Sequence, residues 1–565
     1  MTYSAADTLV SCLANTPRGT AHGFRFRGLD GQASERYFSF EAFELAAHKR
    51  ASQLQQLDLR HGDKLALVVG DPAEFVLSFV SAVVAGVVPV PIYPRASFKA
   101  KNAYIDTVSH IVKTAGAKVL LTTETTKPVV EEVFAHNPGL ARVQTIEGLQ
   151  QIPERDPALP QVAASDLCFL QFTSGSTSLP KGVMVTHANL VANARAFLGP
   201  KGVGATLDDL TVTWLPLYHD MGLIGFALGA IVCSVPTLIM PTEAFGRRPN
   251  VWLETLHQTQ GSLTFAPNFA YALATKRARD KDLEALDLHR VRLAGCGAEP
   301  INPRVMREFA DRFARCGFRR EALLPAYGMA EATLAITFHP RETPLVTDLV
   351  SSEAMQKGEA TPSTDPAADG GSVELVSCGQ AFPEHEIKIV DEQGATLPER
   401  RVGEIWTRGP SVTQGYYQNP AATAEGWSDG WLRTGDLGYI ADGNLYVCGR
   451  LKDLIIIRGA NYYPQDIEWA VADVPGVRRD NVVAFSVQRN GEETLVIAAE
   501  GNSSDAAALR KAIAAKVAET SGVTVGHVAI VRVGSLPKTS SGKVQRRRTR
   551  ALFETAALEE HPSVD

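Results

Sequence analysis

The chain has 565 residues, 45% hydrophobic, 21% charged and 7% aromatic, and its 56 Lys+Arg against 62 Asp+Glu leave a formal net charge of −6. Such a length implies about three to five folding units, each able to bury a core without disulfide or metal staples. The composition excludes a largely disordered, collagen-like or coiled-coil chain, and the near-neutral balance gives no reason to expect nucleic acid as a partner. In chain order, residues 63–70 read as a strand, 72–85 as a helix, 87–92 as a strand, 104–115 as a helix and 118–123 as a strand. Short β-branched runs alternating with helices of this length predict βαβ units and a parallel sheet. The pattern resumes with strands expected at 166–172, 211–215, 235–240 and 289–294.

The uncharged run from Phe75 to Pro94 is long enough to cross a bilayer, but Gly86, Pro89, Pro91 and Pro94 crowd its second half. A buried helix followed by a short strand is the expected outcome, with no membrane span. The first residues lack a charged segment followed by an apolar core, so no secretory signal is expected. Seven cysteines stand singly with no C-x-x-C pair, which disfavours a zinc site or disulfide scaffold and makes a reducing cytoplasm the expected compartment.

Residues 358–372 (GEATPSTDPAADGGS) hold no apolar side chain larger than Ala and read as a surface loop or insertion. Strands at 386–390, 402–408 and 445–447 then suggest a β-rich unit. From Arg450 onward, strands at 481–487, 495–500 and 527–533 mix with helices at 464–472 and 504–520. This last stretch carries 16 basic and 14 acidic side chains, a charge of +2, against 40 and 48, a charge of −8, for the rest. The expected fold class is therefore α/β. A large body (1–449) comprises two α/β subdomains and a β-rich unit at about 377–449, and a small α+β domain (450–565) follows.

The most informative segment is LQFTSGSTSLPKG (170–182), where an apolar run feeds a hydroxyl- and glycine-rich turn. Consecutive backbone N–H groups in such a turn form a concave anion site, to which hydroxyls and Lys181 add donors and charge. It is not a Walker A loop, because Pro180 precedes the lysine and Gly182 follows it. A plain flexible loop is the alternative for this segment alone. Six further blocks follow in order: WLPLYHDMGLIG (214–225), GCGAEP (295–300), YGMAEAT (327–333), WLRTGDLG (431–438), GRLKD (449–453) and PKTSSGKVQR (537–546).

Together these blocks resemble the adenylate-forming superfamily of acyl-CoA synthetases, adenylation domains and luciferases, with Ser178 where a glycine is usual. The resemblance implies ATP-dependent activation of a carboxylic acid, with ATP and Mg2+ bound. It assigns Thr173, Ser174, Gly175, Ser176, Thr177 and Lys181 to the β- and γ-phosphates, and Glu331 with Thr177 to the metal. Tyr327 and the backbone of Gly297, Ala298, Glu299 and Pro300 would flank adenine, followed by Gly328, Met329 and Ala330. Asp436 would accept from the ribose hydroxyls, and Arg450 would donate to ribose or phosphate. Lys543 would enter from a mobile C-terminal domain hinged near Lys452. His219 is either a pocket-mouth group or a structural partner of Asp220.

Within the superfamily, VPVPIYPR (88–95), the stretch 344–376 and DLIIIRGANYYPQDIE (453–468) resemble fatty acyl-AMP ligases. That subgroup implies a fatty acid substrate and transfer of the acyl group to the phosphopantetheine thiol of a separate acyl carrier protein. An acyl-CoA synthetase and a non-catalytic adenylate-binding protein are the alternatives. Arg546, Arg547, Arg548 and Arg550 read either as a solvated basic face or as a contact for an acidic carrier.

Overall fold

Asp71 caps the helix Pro72–Val84 by accepting the N–H of Glu74, Pro72 occupies its first turn, and Gly86 ends it at φ +73°. Every residue of this helix except Glu74 is buried. Phe75 and Phe79 alone contribute about 1.5–3 kcal/mol each by leaving water. The strand Val88–Pro91 follows at a sheet edge, where prolines 89 and 91 cost no ladder hydrogen bond. The helical half of the apolar run is thus buried core, and no helix among the described residues is long and apolar enough to cross a membrane. The structure is a computed structural model and describes residues 7–29, 31–94, 101–156, 159–173, 179–364, 371–489, 492–501, 506–539 and 543–561.

The body is built on two parallel sheets. The smaller runs Val88–Pro91, Lys64–Leu67, Ala117–Thr122, Arg142–Thr145, all parallel. The larger has nine strands, of which Gly23–Gly28, Thr237–Ile239, Thr211–Thr213, Leu263–Ala266, Leu293–Cys296 and Leu323–Gly328 form a parallel centre. Antiparallel strands close both edges, Gly31–Ser39 at one and Ala335–Phe338 with Gln380–Ala381 at the other. Trp252, Tyr271 and Phe309 interlock beneath this sheet, Tyr271 and Phe309 edge to face at 4.9 Å.

One expected parallel strand is corrected. Leu167–Thr173 joins no large sheet but pairs antiparallel with Lys181–Thr186, so the anion-loop candidate lies between two antiparallel strands. The residues between the two strands are too few for the dozen or so that a parallel crossover needs.

The β-rich unit is a five-stranded antiparallel sheet that includes Glu386–Val390, Gly403–Arg408, Trp431–Ala441 and Asn444–Arg450. The insertion before it is more than a loop. Thr347–Ser351 pairs with Ser372–Val376, and Ala360 is fully buried, contrary to the expectation that 358–372 has nothing to bury. Val350, Met355 and Leu375 pack with Tyr439, Tyr446 and Tyr463 in one cluster.

The small C-terminal domain is a three-stranded sheet, Val477–Arg489, Glu492–Gly501 and Val525–Val531, packed by helices Pro464–Ala472, Ala506–Ser521 and Arg546–Glu554. Its basic helix is less free than a plain solvated face. Arg546 pairs with Asp453 (2.7 Å) and Glu468 (2.8 Å), Arg547 with Asp453 (3.4 Å) and Arg550 with Glu554 (2.9 Å). Most of that charge is spent inside the domain, which leaves Arg548 exposed.

Candidate active site

The carboxyl ends of the parallel strands are where an open α/β sheet places its ligands. Here Leu293–Cys296 and Leu323–Gly328 deliver the loops 297–300 and 329–333 to a cavity of about 1850 Å³ between the body and the small domain. Gly297 is required by close approach, since a Cβ there would lie 2.8 Å from the carbonyl oxygen of Ala326. Ala298 takes φ +70° and accepts a hydrogen bond from Lys543 Nζ, so the lysine of the small domain reaches the loop of the body. The Glu299 carboxylate accepts the N–H of Phe269 at 2.9 Å, in the first turn of helix Asn268–Arg277, a favourable end for a negative charge.

Around this meeting point the charges are arranged in pairs. Tyr327 Oη donates to Asp436 Oδ2 at 2.8 Å, and Arg450 Nε lies 3.1 Å from Asp436 Oδ1. Burial, then the Asp436 charge, pushes the Tyr327 phenol well above its ordinary range, so it stays a donor. Burial pushes the Lys543 ammonium down, and the nearby charges of Glu299 and Asp220 oppose that shift. Asp220 is itself buried, which works to raise its pKa, but His219 at 2.5 Å outweighs this and holds the carboxyl below its usual range. His219 pairs with Asp220 and lines the cavity.

Glu331 lies on a short 3-10 turn, Ala330–Ala332, that ends in Thr333 at φ 67°, ψ −63°. The Leu334 N–H donates to Ala332 O at 2.9 Å, which makes Thr333 the centre of a tight γ-turn, a strained geometry. The turn is held from outside, because Thr333 Oγ1 donates to Ser411 O (2.6 Å) and Thr413 Oγ1 to Glu331 O (2.9 Å). Burial raises the Glu331 pKa, while Tyr416, whose Oη donates to Glu331 Oε1 at 2.7 Å, works to lower it. A buried, oriented carboxylate of this kind fits a hard divalent cation, which prefers oxygen donors and would supply the charge that burial makes the site lack.

The cavity brings together Thr173, His219, Gly297, Ala298, Glu299, Pro300, Tyr327, Gly328, Met329, Ala330, Glu331, Asp436, Arg450 and Lys543. Two expected residues stand apart from its lining. Lys181 sits with Nζ 4.9 Å over the Tyr416 ring, and Lys452 is exposed in an ion pair with Glu425 at 2.9 Å. Ser174, Gly175, Ser176 and Thr177 lie outside the described residues. Sequence reasoning missed Tyr416 and Thr413; the only signal was the aromatic pair in GYYQNP (415–420). Leu334, Phe265, Phe338, Leu198 and Val203 add an apolar arm to the lining of the same cavity.

The family described as AMP-binding enzyme matches residues 13–417. The chain belongs to the AMP-binding enzyme family. Residues 452–562 match a second description, Disco-interacting protein 2-like, AMP domain. Among relatives of this AMP-binding enzyme, a Caulobacter vibrioides protein bearing an acyl-CoA synthetase name is 35% identical, over 89% of this chain and 88% of its own. A medium-chain-fatty-acid–[acyl-carrier-protein] ligase of Moorena producens, JamA, is 32% identical over 94% of this chain and 92% of its own. A solved structure from studies of fatty acyl-adenylate ligases of E. coli and L. pneumophila superposes with a TM-score of 0.92 at 34% identity, covering 97% of this chain and 98% of that one. The fold of this AMP-binding enzyme is that of an ATP-dependent, adenylate-forming ligase.

Proposed function

We propose that this enzyme activates a fatty acid as its acyl-adenylate, releasing pyrophosphate, and then passes the acyl group to the phosphopantetheine thiol of a separate acyl carrier protein. The observation that carries the reading is Lys543, delivered by the small domain onto Ala298 near Glu299 and Asp220, in the cavity that the apolar arm also lines. In the first step a carboxylate oxygen bonds to the α-phosphorus while the bond from that phosphorus to pyrophosphate breaks. Two anions must approach, so a fixed cation between them is the largest help the protein can give. Lys543 fills that role. Tyr327 and the 297–300 backbone offer flat faces to adenine, Asp436 accepts from the ribose, and Arg450 orients Asp436.

Thr173 to Thr177 and Lys181 are assigned to the β- and γ-phosphates. Glu331, with Thr177, would hold magnesium, which when bound offsets phosphate charge. The apolar arm takes the acyl chain, in keeping with the fatty acid named for JamA and for the fatty acyl-adenylate ligases. Residues 1–449 then act as the adenylation body and 450–565 as a lid turning near Lys452, with the whole enzyme in the cytoplasm, where seven unpaired thiols are at home.

The Caulobacter relative's name favours a second reading, an acyl-CoA synthetase. Incubation with ATP, magnesium and a medium-chain fatty acid, then with CoA or with a phosphopantetheinylated carrier, separates the two. Acyl-adenylate that persists with CoA and is consumed by the carrier supports the ligase; efficient acyl-CoA formation replaces it with the synthetase.

A further inference from the structure

Lys181 and Glu331 come from segments far apart in the chain, yet one side chain touches both. Lys181 Nζ lies 4.9 Å over the ring of Tyr416, and the Tyr416 hydroxyl donates to Glu331 Oε1 at 2.7 Å. The backbone around that tyrosine is fastened on two sides. Met184 N–H donates to Gly415 O (3.1 Å) and Tyr417 N–H to Gly182 O (2.8 Å), which ties it to the strand that Lys181 begins. Thr413 N–H and Thr333 Oγ1 tie the same segment to the Glu331 turn. Gly415 is fixed at φ +129°, with a Cβ excluded by the Thr423 side chain at 2.3 Å, and Tyr416 N–H donates to Thr423 Oγ1 at 2.9 Å.

We propose that Tyr416 is a positioning residue that keeps the phosphate-loop lysine and the buried carboxylate apart, so that a nucleoside triphosphate meets them as two separate sites. A lysine and a carboxylate held at one tyrosine attract each other, and here each has that tyrosine as a partner instead. The ring face gives the ammonium an attractive seat without neutralising it. The hydroxyl fixes one carboxylate oxygen and leaves the other for a cation, as groups behind a metal ligand do. The inference rests on the assignment of Lys181 and Glu331 to the triphosphate.

Binding of the non-hydrolysable analogue AMPPNP, measured by calorimetry with and without magnesium, tests it without turnover. Tyr416→Phe keeps the ring and loses the hydroxyl. It should bind metal-free AMPPNP about as wild type does, while the magnesium concentration for half-maximal gain in affinity rises about tenfold. Tyr416→Leu also loses the ring, and its metal-free affinity should fall about three- to tenfold. Both variants should bind an acyl-sulfamoyl-adenosine, which lacks β- and γ-phosphates, as wild type does. Wild-type magnesium dependence in the Phe variant overturns the inference. Equal loss of the acyl-sulfamoyl-adenosine and AMPPNP in the Leu variant also overturns it, since that marks a merely structural role. Lys181→Ala and Glu331→Gln are measured alongside. If neither alters AMPPNP binding, the triphosphate assignment fails and takes the inference with it; if both do and the Tyr416 variants do not, the inference alone fails.

Discussion

The two walls of the cleft are held by different chemistry. On the body side, distant segments are joined by buried hydrogen bonds: Thr333 to Ser411, Thr413 to Glu331, Tyr327 to Asp436, and Asn189 Nδ2 to the carbonyls of Pro410 (2.9 Å) and Val412 (3.1 Å). On the side of the small domain, besides the bonds of Lys543 to Ala298 O and of Gln465 to Cys448 O, the links include the Arg304–Asp473 pair at 2.8 Å and the Lys452–Glu425 pair, two ion pairs whose side chains keep much of their contact with water. Breaking a buried hydrogen bond leaves a desolvated group and costs about 1–3 kcal/mol, whereas an exposed ion pair contributes about 0–1 kcal/mol. The body wall of the cleft is therefore assembled in advance, and under the proposed function Lys543 is the part that a turning small domain would withdraw.

The contrast breaks most visibly at Lys543. Lys543→Ala should lower adenylate formation by about 10²–10³-fold, the scale of losing one preorganised charge-stabilising donor, while nucleotide affinity stays close to wild type. Single-turnover acyl-adenylate formation and AMPPNP binding read the two quantities separately. Near-normal turnover would move the catalytic cation elsewhere.

The two regions should also respond to pH with opposite sign. In the body, burial pulls His187 down from 6.5 to about 4, and its Nδ1 accepts the Leu9 N–H at 3.1 Å. As pH falls from 6.5 towards 4 the unfolded chain gains a proton there that the native state refuses, so the body loses stability on acidification. In the small domain, burial pushes Asp466 up from 3.8 to about 7, and its Oδ1 has no hydrogen-bond partner. Between those values the native state keeps a proton that the unfolded chain releases, so this domain loses stability as pH rises through the window. Amide exchange, corrected for intrinsic rates and compared at about pH 5 and about pH 7.5, should find the body less protected at the lower pH and the small domain less protected at the higher one. Asp466→Asn should abolish the second trend; one common trend in both regions contradicts the assignment.

The smallest effect is expected at the docking pair. Asp473→Ala frees Arg304 and Arg479 and should slow adenylation about two- to fivefold, with added salt producing a similar loss in wild type and little further loss in the variant. Nucleotide binding by the body should not change.

Much of this was legible in the sequence because the chemistry is written in short local blocks. The helix at 464–472 and the strand at 386–390 coincide with their expected spans, and Glu331, Asp436 and Lys543 meet at one cavity as their motifs imply. The misses are tertiary. Tyr416 acts on a carboxylate 85 residues away, and nothing in its local sequence encodes that contact. The antiparallel pairing of Leu167–Thr173 with Lys181–Thr186 was readable in principle from its short connection, but the apolar run looked like a central parallel strand. Arg546 looked solvated because its partners, Asp453 and Glu468, lie far back in the chain.

Under the proposed function this cleft joins a fatty acid to AMP. Exchange of labelled pyrophosphate into ATP, followed with and without a medium-chain fatty acid, reads that step in isolation. Exchange should depend on the fatty acid and on magnesium and be lost in Lys543→Ala; exchange indifferent to the fatty acid, or none with any chain length, would overturn the acyl-adenylate chemistry.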